Sequence, residues 1–356
     1  MNKLNRFIYV DLLRVIASVM VVAVHVAVHY IGIFKVGSIP WTMLDFIIAS
    51  TKFAVPVFFM LSGAVILSST REETYWQFIK RRLLKVAVPF LSYSVIAYLY
   101  FCFVKETYDF GVVDFIKRFI GGDIIGHLWY LYALIPFYFL LPIFRKFVRA
   151  VNRKELLIFI TIMFCLNSGL PFLNNLLGVF SDFKITYYSF SYAGAYLNYV
   201  LIGYYIHTYV DFREKANRKS IGYLLLYLCC IVFITIMTYI VSEGKLNTSW
   251  YNISMLPVGI SSIAIVLSVK AWLTNHNVGE RLAAAISKLG MLSFSAYLIH
   301  MLILRVIQTY IPASYLDTLS TPKAAVFILA EFVIALVCSY LWSFAVSKIP
   351  VVKKIL

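Results

Sequence analysis

This 356-residue chain is poor in charge: only 13% of its residues are Asp, Glu, Lys or Arg, and 62% are hydrophobic. A soluble domain is about half apolar and a quarter charged, so a globular aqueous fold is excluded. The chain has only five cysteines (Cys102, Cys165, Cys229, Cys230 and Cys338), all in apolar stretches and without paired spacing. That argues against a cysteine metal centre and reads as small buried hydrophobes. There is no G-x-S-x-G elbow, no H-E-x-x-H, no phosphate-cradling glycine loop and no clustered Cys/His ligand set. Serine-hydrolase and metal-dependent chemistry are therefore not expected. Internal repeats, low-complexity linkers and a polar interval long enough for a second core are also missing. The expectation is one integral membrane domain over residues 1–356. No small-residue cleavage site trails the first apolar segment, which reads as a retained helix.

Long apolar runs are abundant. About 20 apolar residues cross a bilayer core, and ten segments qualify: 8–29, 44–67, 84–104, 128–147, 155–173, 188–208, 220–241, 251–272, 290–310 and 324–347. The expected fold class is all-α, a polytopic helical bundle of about ten transmembrane helices. The formal net charge is +16, and it is unevenly spread. One set of alternate loops holds Lys3, Arg6, Arg71, Lys80, Arg81, Arg82, Lys85, Arg145, Lys146, Arg149, Arg153, Lys154, Arg213, Lys215, Arg218, Lys219, Lys270, Arg281, Lys288, Lys348, Lys353 and Lys354. The other holds Lys35, Lys105, Lys117, Arg118, Lys184, Lys245 and Lys323. The positive-inside rule then predicts both termini in the cytoplasm of a cell-membrane protein. The basic charge reads as topology and contact with anionic lipid, not as nucleic-acid binding.

Against that apolar background the polar residues within spans stand out. Arg14 and His25 are 11 positions apart, which returns a helix to within roughly 20° about 16 Å further along. Asp11, Ser18 and His29 fall on or near the same stripe. Ionisable groups in a span usually face a protein interior or wet cavity. An imidazole can take a proton near neutral pH, and an arginine fork suits phosphate or a polarised carbonyl. Lys80, Arg81, Arg82 and Lys85 precede Pro89. They form either a site for a polyphosphate such as that of coenzyme A or a positive-inside anchor. In the second span, Lys52 lies seven residues after Asp45 and just before Pro56, which is expected to bend the helix. His127, Trp129 and Tyr130 mark the outer start of span four. Span nine carries Ser293, Tyr297, His300 and Gln308 on one stripe. Glu331 is expected to pair with Arg305, and His207 and His276 to be solvated at the cytoplasmic edge.

Several of these pieces together resemble the acyltransferase-3 family of integral membrane acyltransferases. They are Asp11-Leu12-Leu13-Arg14 with His25, Val55 to Gly63, the basic run before Pro89, His127-Leu128-Trp129, Tyr199 to Gly203, and Ser295 to His300. The likeness covers nearly the whole chain and is greatest to short, single-domain members that O-acetylate enterobacterial common antigen. It implies an O-acetyltransferase with acetyl-CoA as acyl donor and no metal. The implied acceptor is a hydroxyl of a cell-surface or lipid-linked glycan. His25, Arg14 and Asp11 would then be catalytic, with His25 as general base or transient acyl carrier. Lys80, Arg81, Arg82 and Lys85 would bind the donor. Lys52, His127, Trp129, Tyr130, Tyr297 and His300 would bind the acceptor. Lys52 stands where relatives usually carry arginine. The alternative is a transporter or flippase for a glycan intermediate or a small polar solute such as serine.

Overall fold

The computed structural model describes residues 5–180, 192–212, 215–311, 316 and 321–349. Lys3, Lys184, Arg213, Lys353 and Lys354 of the charge pattern lie outside the described residues, as do the side chain of Arg6 and the first residues of the expected span 188–208. The described chain is helical: α1 (Asn5–Ile31), α2 (Ile39–Thr51), α3 (Ala54–Ile66), α4 (Tyr75–Phe103), α5 (Val112–Gly121), α6 (Trp129–Ala150), α7 (Arg153–Phe164), α8 (Leu170–Phe180), α9 (Tyr192–Tyr209), α10 (Ala216–Val241), α11 (Leu256–Asn275), α12 (Glu280–Tyr310) and α13 (Thr321–Val346). No strand occurs among the described residues.

Nine stretches among the described residues are long and apolar enough to cross a membrane. Several begin earlier than their apolar runs. α4 starts at Tyr75 behind a Thr74–Gln77 capping box, so Lys80 to Lys85 lie on its first turns and not ahead of it. Hydropathy marks the part of a helix in hydrocarbon, while a capping signal marks where the helix begins. The expected span at 188–208 corresponds to α9, which is not one of the nine. α9 is rich in tyrosine, and Ala195, Tyr196, Tyr199, Val200, Leu201 and Ile202 are all buried. A helix wrapped by protein needs no lipid-facing apolar surface.

The second span is two helices. The break falls at Lys52 and Phe53, where a proline at 56 has no N–H to give Lys52 and its ring crowds that carbonyl. α3 then packs backbone to backbone on α9. A Cβ on Gly63 would sit 1.8 Å from the Val200 carbonyl oxygen, and one on Gly203 1.9 Å from that of Met60. Only glycine permits this approach. α1 packs in turn against α3, α12 and α2. At the α3–α4 connection, Arg145 of α6 is buried and donates to the carbonyls of Ser69 and Arg71, both at 2.5 Å. Glu73 accepts from Arg81 and Arg145. The end of α3, the start of α4 and the end of α6 are thereby fastened on one side of the bundle.

Candidate functional site

Arg14 projects from α1 into a cavity of about 300 Å³, within the range of small-molecule sites. α3 contributes Phe58, Leu61, Ser62, Val65 and Ile66 to its wall, and α4 contributes Arg82, Lys85 and Val86. The other wall is Tyr130, Leu134 and Tyr138 of α6 with Gly290, Met291, Ser293, Phe294 and Tyr297 of α12. Among the described residues three cations line this space and no carboxylate does. Arg14 Nη1 donates to Asp11 Oδ1 at 3.1 Å, one helical turn away. The other Asp11 oxygen accepts from Ser287 Oγ at 2.8 Å. Asp11 thus holds the guanidinium at the cavity edge and ties α1 to α12. Gly290 makes room for it, since a Cβ there would meet Asp11 at 3.1 Å.

The four basic residues of α4 separate in space. Arg82 and Lys85 line the cavity, and Arg82 Nε is buried without a partner. Arg81 is instead engaged by Glu73, with Nη2 to Oε1 at 2.6 Å and Nε to Oε2 at 3.1 Å. Lys80 is exposed and does not line the cavity. Of the expected donor-binding set, the fold brings two residues to Arg14.

Beyond Tyr297 three imidazoles from three helical segments converge. The centroids of His25 and His300 are 5.2 Å apart, those of His127 and His300 4.9 Å, and those of His25 and His127 6.3 Å. His127 Nε2 faces the Leu298 carbonyl at 3.2 Å and His300 Nδ1 the Tyr297 carbonyl at 2.5 Å. A carbonyl only accepts, so those nitrogens carry the protons. His127 Nδ1 and His300 Nε2 are left as buried acceptors without a partner. The Tyr297 hydroxyl donates to the His127 carbonyl at 2.5 Å, locking the turn before α6 onto α12. Tyr130 packs on Tyr297 with centroids 5.8 Å apart. Both tyrosines line the cavity, and Tyr297 also packs on His127 and His300, with centroids 5.5 and 5.8 Å away. The arrangement leaves two buried ring nitrogens free to accept hydrogen bonds from a polar group inside the bundle.

Lys52 sits at the α2–α3 break with its ammonium 4.6 Å from the centre of the Tyr251 ring. The Tyr251 hydroxyl donates to Asp45, which is fully buried. Tyr251 thus stands between Lys52 and Asp45, seven residues apart in the chain. Trp129 is half-exposed and lies against Tyr130 and Tyr196.

Other expectations change. Glu331 accepts from Tyr30 and from Gln308 Nε2, the latter at 3.0 Å, and not from Arg305. His207 is buried and shares a 2.7 Å hydrogen bond with the Tyr9 hydroxyl, because the folded end of α9 turns inward against α1. Ser18 keeps its place near the Arg14 stripe, but its hydroxyl is engaged by the Tyr340 hydroxyl of α13 at 2.6 Å and does not line the cavity. His276 caps its own helix through the Trp272 carbonyl at 2.8 Å. Tyr138 and Tyr251 were not anticipated. The i, i+4, i+8 recurrence of Tyr130, Leu134 and Tyr138 is a signal for the first; no local signal marks Tyr251.

A family model described as an acyltransferase domain matches residues 7–348. An amino-acid racemase of Enterococcus faecalis is 23% identical over 350 residues, covering 93% of this chain and 45% of the relative. A serine/alanine racemase of Enterococcus gallinarum is 34% identical over 138 residues, covering 35% of this chain and 18% of the relative. The chain spans less than half the length of these curated relatives. No solved structure matches it.

Proposed function

The chain belongs to the acyltransferase domain family, and from that premise we propose that it is a multi-pass membrane O-acetyltransferase. It would move an acetyl group from acetyl-CoA to a hydroxyl of a cell-surface or lipid-linked glycan, as the enterobacterial common antigen O-acetyltransferase does. The observation that carries this reading is the basic cavity leading past Arg14 to Tyr297, which packs on His127 and His300 of the histidine cluster. The proposed setting is the cell membrane, with both termini cytoplasmic and residues 1–356 acting as one domain.

The donor supplies an activated acyl group as a thioester. Arg82 and Lys85 bind its phosphates; the unpartnered Arg82 Nε and the absence of a carboxylate among the described lining residues fit an anion. Arg14, oriented by Asp11, presents its fork to a donor phosphate. His25, about 16 Å further along α1, takes the acceptor hydroxyl proton as that oxygen bonds the acetyl carbon and the C–S bond breaks. His25 can instead carry the acyl group transiently. Tyr297, His127 and His300 shape the acceptor side.

The test is acetyl transfer by purified protein, read by mass spectrometry of glycans from cells with and without it. His25→Ala should cost about 10²–10⁴-fold in rate while inserting normally. Near-normal turnover in that variant removes His25 from the mechanism. The racemase names of the relatives favour one second reading, conveyance of an amino acid such as serine. Labelled serine uptake into vesicles without acetyl-CoA consumption would select it.

A further inference from the structure

Residues 104–125 join two membrane-length stretches, Tyr75–Phe103 and Gly126–Ala150. Both ends of this connection therefore lie at one surface of the bundle, opposite the basic start of α4. Within it, α5 is ten residues long, about 15 Å from end to end and too short to cross a bilayer. Its faces are the reverse of those of a helix lying against water. The charged residues Asp114 and Arg118 turn to the protein. Asp114 Oδ2 accepts from Arg118 Nε at 2.8 Å and from the Tyr98 hydroxyl at 3.0 Å. The Arg118 guanidinium lies 3.7 Å from the centre of the Tyr108 ring. Phe115 and Phe119 pack beside them on Tyr98 and Phe90, with centroids 5.3 and 4.9 Å apart. The outward residues are apolar: Val112, Val113, Ile116 and Ile120 are 75%, 66%, 48% and 75% exposed. At 100° per residue these four fall within one arc of about 100°.

A contiguous exposed apolar stripe marks a contact surface, and its surroundings name the partner. Phe110, just ahead of α5, is exposed, and its ring lies 5.2 Å from that of Phe103. Phe103 is the exposed last residue of the α4 span, and Leu99 is exposed one turn earlier. The stripe thus continues the lipid-facing surface of a membrane helix. Lys117 is exposed and falls about 40° beyond Val113, at the edge of the arc. A flexible ammonium there reaches lipid phosphates while its neighbours sit among acyl chains. We propose that α5 is a lipid-docking helix: Val112, Val113, Ile116 and Ile120 enter the boundary between headgroups and acyl chains, and Lys117 stays at the headgroups. The docked helix fixes the depth of the segment that leads to His127. The Tyr132 hydroxyl of α6 donates to the Phe119 carbonyl, and the Tyr108 hydroxyl to the Asp123 carbonyl at 3.0 Å.

The experiment is photo-crosslinking of the full chain in phosphatidylethanolamine–phosphatidylglycerol nanodiscs, with benzoylphenylalanine placed singly at Val113, Ile120, Leu99 or Asp123. Adducts are identified by mass spectrometry. Leu99, on a membrane span, sets the yield for lipid contact, and the exposed Asp123 sets the yield for solvent. Lipid adducts at Val113 and Ile120 should approach the Leu99 yield and exceed the Asp123 yield at least about fivefold, as for an interfacial helix. Ile116→Glu should lower the Val113 adduct about tenfold by placing a charge on the arc. Ile116→Leu should leave it unchanged, which separates loss of lipid contact from loss of fold. The inference is overturned if Ile120 labels lipid no more than Asp123 does. It is also overturned if Ile120 labels a second copy of the chain in place of lipid, or if Ile116→Glu keeps the full Val113 adduct.

Discussion

Gly203→Ala will push α3 and α9 apart. The new methyl carbon would stand 1.9 Å from the Met60 carbonyl oxygen and 2.5 Å from the Met60 Cα. Ordinary carbon contacts begin near about 3.5 Å, so the backbones must separate locally by roughly 1.5 Å. The obstacle is backbone on both sides, and no rotamer change relieves it. Met60 and Val200 are fully buried at this contact, and Phe59 stacks on Tyr196 with centroids 4.7 Å apart. Overpacking of this kind costs about 1–3 kcal/mol, and more where relaxation is blocked. For a chain of this size that is a fall of roughly 1–4 °C in melting temperature. Fluorescence-monitored thermal unfolding in detergent reads it directly. Gly63→Ala meets the Val200 carbonyl at 1.8 Å and should behave alike. Because one separation accommodates both methyl groups, the double variant should cost less than the sum of the singles by at least about 0.5 kcal/mol. α3 also carries Phe58, Leu61 and Ser62 on the cavity wall, so donor affinity should fall in step. A melting temperature unchanged within about 1 °C in Gly203→Ala would refute the close-packing argument. Strict additivity in the double variant would refute the shared displacement.

Two further outcomes concern the basic cavity. Arg14→Lys keeps the charge but loses the planar fork that reaches Asp11 and a ligand together; purified protein should lose about tenfold or more in acetyl transfer, and full activity would reduce the residue to a point charge. Arg82→Gln should weaken acetyl-CoA binding in calorimetric titrations, with an effect that shrinks as salt rises. Arg81→Gln should leave that affinity nearly unchanged, because Glu73 already occupies its guanidinium; equal losses in the two variants would show that the cluster acts only as a diffuse field.

The membrane character, the Asp11–Arg14 pair and the break near Pro56 are legible in the chain because each is local. Hydrophobic length is summed over adjacent residues, an i, i+3 contact is built into any helix, and a proline acts on the carbonyl four residues back. Helix starts were less legible, since hydropathy ends at the membrane while α4 continues to its Thr74 cap. The rest required packing. That Arg82 faces the cavity while adjacent Arg81 faces Glu73 depends on the rotation of α4 against α6 and on the course of residues 68–74. The meeting of His25, His127 and His300 joins residues up to 275 positions apart, and Tyr251 enters beside Lys52 from across the bundle. Periodicity states which residues share a face of one helix. It does not state which faces of different helices meet, because that is decided by side-chain volume and by glycine contacts such as Gly63 and Gly203.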